Sequence, residues 1–200
     1  MDAAATTRSE RKLGRPTEAD RVERRAQILD AALPVFLEYG FGNATVDRIA
    51  AAAQVTKRTL YTYFGNKDGV FTEMQRRLAE DVSGEVADDD TLQTLTTRIY
   101  HRLHSARMIG LHRLIIAESL RFPEIALSLH DNGDIRHITR LAGRIRVEVG
   151  DDAAVLAEPL FSLLLGENYR RRLLGLLPPA TLGEAERHGR AALRLVGLVG

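Results

Sequence analysis

Apolar residues recur at three- and four-residue intervals along most of this chain, and nowhere do they alternate as strand residues would. The pattern predicts an all-α protein of about nine or ten helices. Val22, Ala26, Leu29, Leu33 and Phe36 form one stripe and predict a first helix from Asp20 to Tyr39, kinked slightly by Pro34 and ended by Gly40. Thr45 reads as an N-cap before Val46, Ile49, Ala50 and Ala53. The chain breaks at Gln54-Val55 and restarts at a second cap, Thr56, with Val55 and Leu60 placed as a hydrophobic staple. Gly65 ends this third helix. Asn66 caps a fourth, which runs through Val70, Phe71, Met74, Leu78 and Val82 to about Val86.

Asp88 to Asp90 interrupts the periodicity, and Asp90 with Gln93 reads as a capping box for a helix over 91–108. Another covers 111–121. Pro123 opens a helix over 124–131 that Gly133 interrupts, and 135–149 resumes. Asp151-Asp152 caps a long helix that contains Pro159 and reaches about Leu177; Pro178-Pro179 breaks it, and the last helix covers 182–199.

Charge sharpens the reading of the first four helices. Residues 1–77 hold 13 Lys and Arg against 10 Asp and Glu, whereas the remainder is slightly acidic. Between Ala44 and Lys67 the ionisable side chains are Asp47, Arg48, Lys57, Arg58 and Lys67, a small basic patch on the paired helices. On a wheel of the third helix Leu60 and Phe64 face inward, and Arg58, Thr59, Tyr61 and Thr62 face outward or sideways. A small, hydroxylated, aromatic and cationic face suits a helix that enters a major groove and meets phosphates on the way. Arg21, Arg24 and Arg25 in the first turns of helix 1 oppose the macrodipole, a mismatch that a nearby phosphate would offset. Residues 1–20 read as a basic flexible arm with Arg8, Arg11, Lys12 and Arg15. It either lies along a phosphate backbone or minor groove, or is an unfolded terminus without a role.

The run ILDAA…F…YGF…TVDRIAAAAQVTKRTLYTYFGNKDGVF resembles the DNA-binding domain of the tetracycline-repressor (TetR) family of bacterial transcriptional regulators. Gly14-Arg15-Pro16 is also common in that family, which usually carries a small residue where Arg58 stands and a better helix former than Gly69. The resemblance implies that Thr45 and Arg48 contact phosphate, and that Thr56, Lys57, Arg58 and Thr59 lie at the DNA, reaching base edges or adjacent phosphates. Tyr61 and Tyr63 would hydrogen-bond phosphate through their phenols. Tyr63 lies nearer the buried side, so core packing is its alternative role. Lys67, at the start of helix 4, would clamp a phosphate. Gly69 would loosen the first turn of that helix.

HRLIIAESLRFPEIA and DDAAVLAEPLFSLLLGENYRRRLLGLLPP are similar to the AefR-like C-terminal subset of the same family. That likeness implies a division into the arm (1–20), a helix-turn-helix domain (21–67, motif 45–64), a connecting helix (68–86) and an effector-binding and dimerisation domain (87–200). The expected partners are a double-stranded DNA operator, a small-molecule effector and a second copy of the chain. The copy would pair through the last two long helices, on Leu160, Leu163, Leu164, Leu173, Leu176, Ala191, Leu195 and Leu198, which pack within one subunit in the alternative reading. An effector pocket would draw on Tyr100, His104, Arg113, Glu118, Phe122, Asn168 and Tyr169, with Glu118 instead paired to Arg113 or Arg121 as the plainer role.

Other chemistry is weakly signalled. His101 and His104, with His112 farther on, lack the third ligand and the paired carboxylate that a metal site wants, and His130 and His137 invite the same restraint. No nucleophile elbow, phosphate-cradling glycine loop or metalloprotease motif is present, so neither cofactor nor catalytic residue is expected. There is no cysteine, no signal-like apolar stretch at the N-terminus, and no apolar run near the ~20 residues of a membrane span. A cytoplasmic address fits. The rival is a small helical enzyme or ligand carrier that uses the histidines of the second half.

Overall fold

The computed structural model describes residues 17–83 and 91–198. The expected arm as far as residue 16, Val86, the Asp88–Asp90 stretch and the last two residues lie outside them. Among the described residues every regular element is helical: α1 (Glu18–Asn43), α2 (Val46–Ala52), α3 (Lys57–Phe64), α4 (Lys67–Ser83), α5 (Leu92–Leu103), α6 (Ala106–Glu118), α7 (Pro123–Leu129), α8 (Ile135–Glu148), α9 (Ala157–Leu173) and α10 (Leu182–Leu195).

The first helix starts earlier than its apolar stripe suggests. Thr17 and Asp20 form a capping box, and Glu18 and Asp20 supply the acids that the macrodipole favours. Two of the three arginines also have partners within the chain. Arg21 pairs with Glu18 at 3.7 Å, and Arg25 reaches Glu73 of α4 at 3.1 Å and lies over the Phe64 ring. Val22 is 61% exposed and belongs to no core. The helix passes through Pro34; its break comes at Gly40, whose φ of 77° only glycine takes readily, and one further turn carries Phe41 into the core.

Thr45 and Thr56 cap α2 and α3 as their positions predict, accepting from the backbone N–H of Arg48 and Thr59. Gln54 turns the chain between them at a positive φ of 52°. Ile49, Ala50 and Leu60 are buried against Ile28, Leu29, Phe36, Val70 and Phe71, so α1 to α4 share one core.

The turn into α4 corrects the expectation for Gly69. Asn66 caps the helix by accepting the Gly69 N–H at 2.8 Å. A Cβ on Gly69 would stand 2.0 Å from the Phe64 carbonyl oxygen. Glycine does not loosen this turn; it lets the end of α3 lie directly on the start of α4.

In the second half α5 is the central rod, packed against α4, α8, α9 and α10. Leu92, Leu95, Thr96, Thr97, Ile99, Tyr100 and Leu103 are all buried. Thr91 caps it, and Glu148 of α8 accepts the Leu92 N–H at 2.6 Å. The chain does not run on to Met108 as one helix: it stops at His104, and Ser105 caps α6. Gly133 does not interrupt either. The stretch His130–Asp134 is a π-helical turn that joins α7 to α8 without a gap. Asp151–Leu156 forms 3-10 turns before α9, and α9 is broken at Gly166 (φ 52°, ψ −168°).

Gly69→Ala is a test of the α3–α4 contact. Helix propensity alone would make alanine stabilising by up to about 1 kcal/mol. The clash with a backbone carbonyl reverses the sign, so the variant should unfold at lower denaturant, by about 1–3 kcal/mol, in equilibrium urea titrations.

Candidate nucleic-acid interface and the polar interior

The sequence places four cations between Ala44 and Lys67, and the structure sorts them by what they touch. Arg48 lies 4.3 Å over the Tyr39 ring and donates to Asn43 O at 2.8 Å. Lys57 pairs with Asp47 at 2.8 Å across the α2–α3 turn, on a solvated surface, and the carboxylate raises the Lys57 pKa. Lys67 is turned inward. It donates to Phe41 O at 2.7 Å and Gly42 O at 3.4 Å and sits over the Phe41 ring, so it closes the last turn of α1 rather than standing free for a phosphate. Arg58 is exposed, and its guanidinium makes no hydrogen bond, ion pair or ring contact among the described residues.

The hydroxyls sort in the same way. Thr45 and Thr56 are occupied as caps, and Thr59 Oγ1 shares a hydrogen bond with Thr56 Oγ1 at 2.9 Å. Thr62 Oγ1 donates to Arg58 O. Tyr61 is 53% exposed, whereas Tyr63 is half-buried and packs on the core, its ring beside Phe64. The outward face of α3 is therefore Lys57, Arg58, Tyr61 and Thr62, positive at its N-terminal end.

The seven residues expected around an effector pocket fall into three groups. Tyr100, His104 and Asn168 meet in a buried network whose other members carried no sequence signal. Arg172 is 3% exposed. It donates to both oxygens of Glu184 at 2.9 and 2.7 Å, to Pro178 O, and to His104 Nδ1 at 2.8 Å. Tyr100 donates to Glu184 Oε1 at 2.7 Å and stacks between His104 and His188. The break at Gly166 makes this possible, because it frees α9 carbonyls from the helical ladder. Leu164 O accepts from His104 Nε2 and Leu163 O from His188 Nε2, each at 2.9 Å. A carbonyl only accepts, so His104 carries its proton on Nε2, and its bare Nδ1 receives Arg172. Arg172 stands in a run of three arginines that reads as a solvated helix end, which is why sequence reasoning missed it.

Tyr169 joins that network at its edge, its ring edge-on to His104 at 5.5 Å, and shares a hydrogen bond with His112 Nδ1. Arg113 ends α9 from outside, through Leu173 O at 2.8 Å and Arg172 O at 2.6 Å. Glu118 and Phe122 face the first helices. Phe122 meets Phe41 edge-on at 4.9 Å, and Glu118 sits against Gly40 and Gly42, with Oε2 buried and unpaired; it bonds neither Arg113 nor Arg121. Both belong to the junction of the two halves. Of the residues expected on a dimer face, Leu160 and Leu164 are fully buried within the subunit, whereas Leu176 and Leu195 are exposed.

Three histidines are buried at His104, His112 and His137. Burial pushes each down to about 4, helped at His104 by the Arg172 charge and at His137 by that of Arg140. At Glu184 burial would raise the carboxyl, but hydrogen bonds from Tyr100 and Arg172 carry it below the usual range. Among the described residues no three His, Asp or Glu side chains gather as metal ligands would, and no helix is long and apolar enough to cross a membrane.

The model of the tetR family of bacterial regulatory proteins matches residues 28–74, and the AefR-like transcriptional repressor C-terminal domain matches 90–196. The chain is 29% identical over 186 residues to an HTH-type transcriptional repressor of Streptomyces coelicolor, covering 86% of this chain and 94% of that protein. It superposes on a flavonoid-responsive regulator with a TM-score of 0.59 at 26% identity, covering 88% and 95% of the two chains. A TetR-family regulator from Mesorhizobium loti shares the fold at a TM-score of 0.65 and 22% identity, covering 90% and 96%.

Two measurements check this geometry. Arg58→Ala should weaken operator binding by about 1–3 kcal/mol and lower the salt slope by up to about one unit. Lys67→Met should instead cost thermal stability and leave that slope unchanged. The buried histidines predict acid lability: the unfolded chain takes up protons near pH 6.5 and the folded chain only near 4. Their contribution is complete above pH 6.5 and lost progressively as pH falls towards 4, so Tm should drop over that window.

Proposed function

The chain belongs to the tetR family of bacterial regulatory proteins, and from that membership we propose a dimeric, ligand-responsive repressor released from a palindromic operator by a small-molecule effector. The observation that carries the DNA half is the outward face of α3, where Arg58 and Tyr61 stand exposed on a helix whose inner face is anchored by Leu60. Each copy would set α3 in a major groove, with half-sites about one helical turn, ~34 Å, apart or a little more. Arg58 reads a base edge; Lys57, Thr62 and Tyr61 meet phosphates, with Lys57 exchanging Asp47 for DNA. Thr45 and Thr56 hold the two helices at their angle, and Arg48 sits on the phosphate side of α2.

Release needs a path from the second half to α3. Phe122, between α6 and α7, packs on Phe41, and Phe41 packs on Phe71 of α4 at 4.9 Å. Gly40 and Gly42 leave room for Glu118 and Phe122: a Cβ on Gly40 would stand 2.6 Å from Glu118 Oε1, and one on Gly42 3.2 Å from the Phe122 ring. Asp30 of α1 is held by Arg77 of α4 and Arg107 of α6 at 3.2 and 3.0 Å. An effector that favours another position of α6 and α7 therefore moves the frame that carries α3. Its effect is limited by its differential affinity for the two arrangements. Pairing of two copies would use what α9 and α10 leave outside, Leu176, Ala191 and Leu195 among them.

Quantitative footprinting on DNA flanking the gene tests the regulator. A protected palindrome is the expected result; binding that is salt-sensitive and blind to sequence would sink it. The path through the junction predicts that Phe122→Ala, at a cost of about 2 kcal/mol for a half-buried ring, splits thermal unfolding into two calorimetric transitions.

A further inference from the structure

Between α4, α5, α6, the π turn and α8 lies a cavity of about 10 Å³, room for one water molecule. Its walls are mostly apolar, Leu103 and Leu111 among them, and no lysine or arginine lines it. Four polar side chains do: Gln75, His112, Asp134 and His137. Gln75 is 3% and His137 1% exposed, and each carries an atom without a partner, Gln75 Oε1 and His137 Nδ1. The other groups are engaged. Gln75 Nε2 donates to Ile125 O at 2.9 Å, His112 Nδ1 shares a hydrogen bond with Tyr169 Oη, and Asp134 faces His130 at 3.7 Å.

A buried acceptor left unpaired is costly, and native interiors keep few of them. Whatever completes this site must donate a hydrogen to Gln75 Oε1 and must also satisfy His137 Nδ1. A hydroxyl does both. An anion would meet the Asp134 carboxylate with no lining cation to hold it. A cation would have one carboxylate, already facing His130, and the loss of its hydration to make good. We propose, on the premise of the effector-released regulator above, that this cavity is the effector site. Its ligand is a small uncharged molecule with a hydroxyl group on an apolar body, held by Gln75 and His137.

The location gives the ligand leverage. The amide of Gln75 ties α4 to α7 through Ile125, and α7 begins at Pro123, directly after the Phe122 that plugs into the first core. Gly133 and Asp134 of the lining lie on the π turn. That turn joins α7 to α8 without a gap, so a group larger than water displaces one of them. A molecule larger than water enters only with that rearrangement, and filling the site thereby moves Phe122.

The full chain, with its operator, tests this with three probes of one shape: phenol, benzoate and benzylamine. Phenol should raise Tm and weaken operator binding by about tenfold or more, within the usual range of such coupling. Benzoate and benzylamine should do neither. Gln75→Leu and His137→Leu should each keep operator binding and lose the phenol response. If one of the two fails to fold, the other carries the comparison. A stronger response to either charged probe, no response to phenol, or a response that survives both substitutions would overturn the assignment and leave the cavity to a structural water. Phenol stabilisation that depends on Gln75, in a chain that binds no specific DNA, would keep the site and sink the regulator.

Discussion

Phe122 is the N-cap of α7 but packs on the core of the first helices. Its ring meets Phe41 edge-on, Phe41 meets Phe71, and Phe71 meets Phe36, each at 4.9 Å. Edge-to-face contacts of this kind are directional and close-packed. The chain makes room for them with Gly40, whose positive φ ends the long run of α1 and swings Phe41 inward. Lys67 then closes the same turn from the other side, with its ammonium on the Phe41 carbonyl and over its ring. One aromatic cluster thus fixes where α1 ends, where α4 begins and how α6 approaches both. The orientation of α3, wedged against α4 at Gly69, follows from it.

A second constraint holds the other half. Arg172 and Glu184 are drawn into the interior with Tyr100, His104, Asn168 and His188 around them. Taking an ion pair out of water is costly, and removing one partner leaves the other stranded. Such a network contributes less to net stability than to register, because only one placement of α9 and α10 on α5 satisfies every group. The glycines set how close the helices come: Gly166 releases the carbonyls that the histidines need, and a Cβ on Gly189 would stand 3.1 Å from Thr96 Oγ1.

These two clusters leave different surfaces for work. The basic patch of the helix pair is smaller than its composition suggests, since Arg48, Lys57 and Lys67 each have partners within the chain. What remains outward on α3 is specific rather than merely positive. In the second half most of the polar candidates bond within the chain, and a cavity with unmet hydrogen bonds lies beside Gln75 and His137.

The sequence by itself determined the all-α architecture, the two caps at Thr45 and Thr56, the inward Leu60 and the family. All of these are local: periodicity, capping and turn chemistry act within a few residues and are written in order along the chain. It also marked Arg58 and Tyr61 as outward. Only the tertiary structure decided that Lys67 faces inward, that Gly69 is required, that α5 stops at His104, and that Glu118 and Phe122 serve the junction. Arg172 with Glu184, and Gln75 with Ile125, are 12 and 50 residues apart and lie on different helices. A periodic pattern records which face of a helix is apolar but not which neighbour covers it, so partners that meet across helices become visible only when the helices are packed.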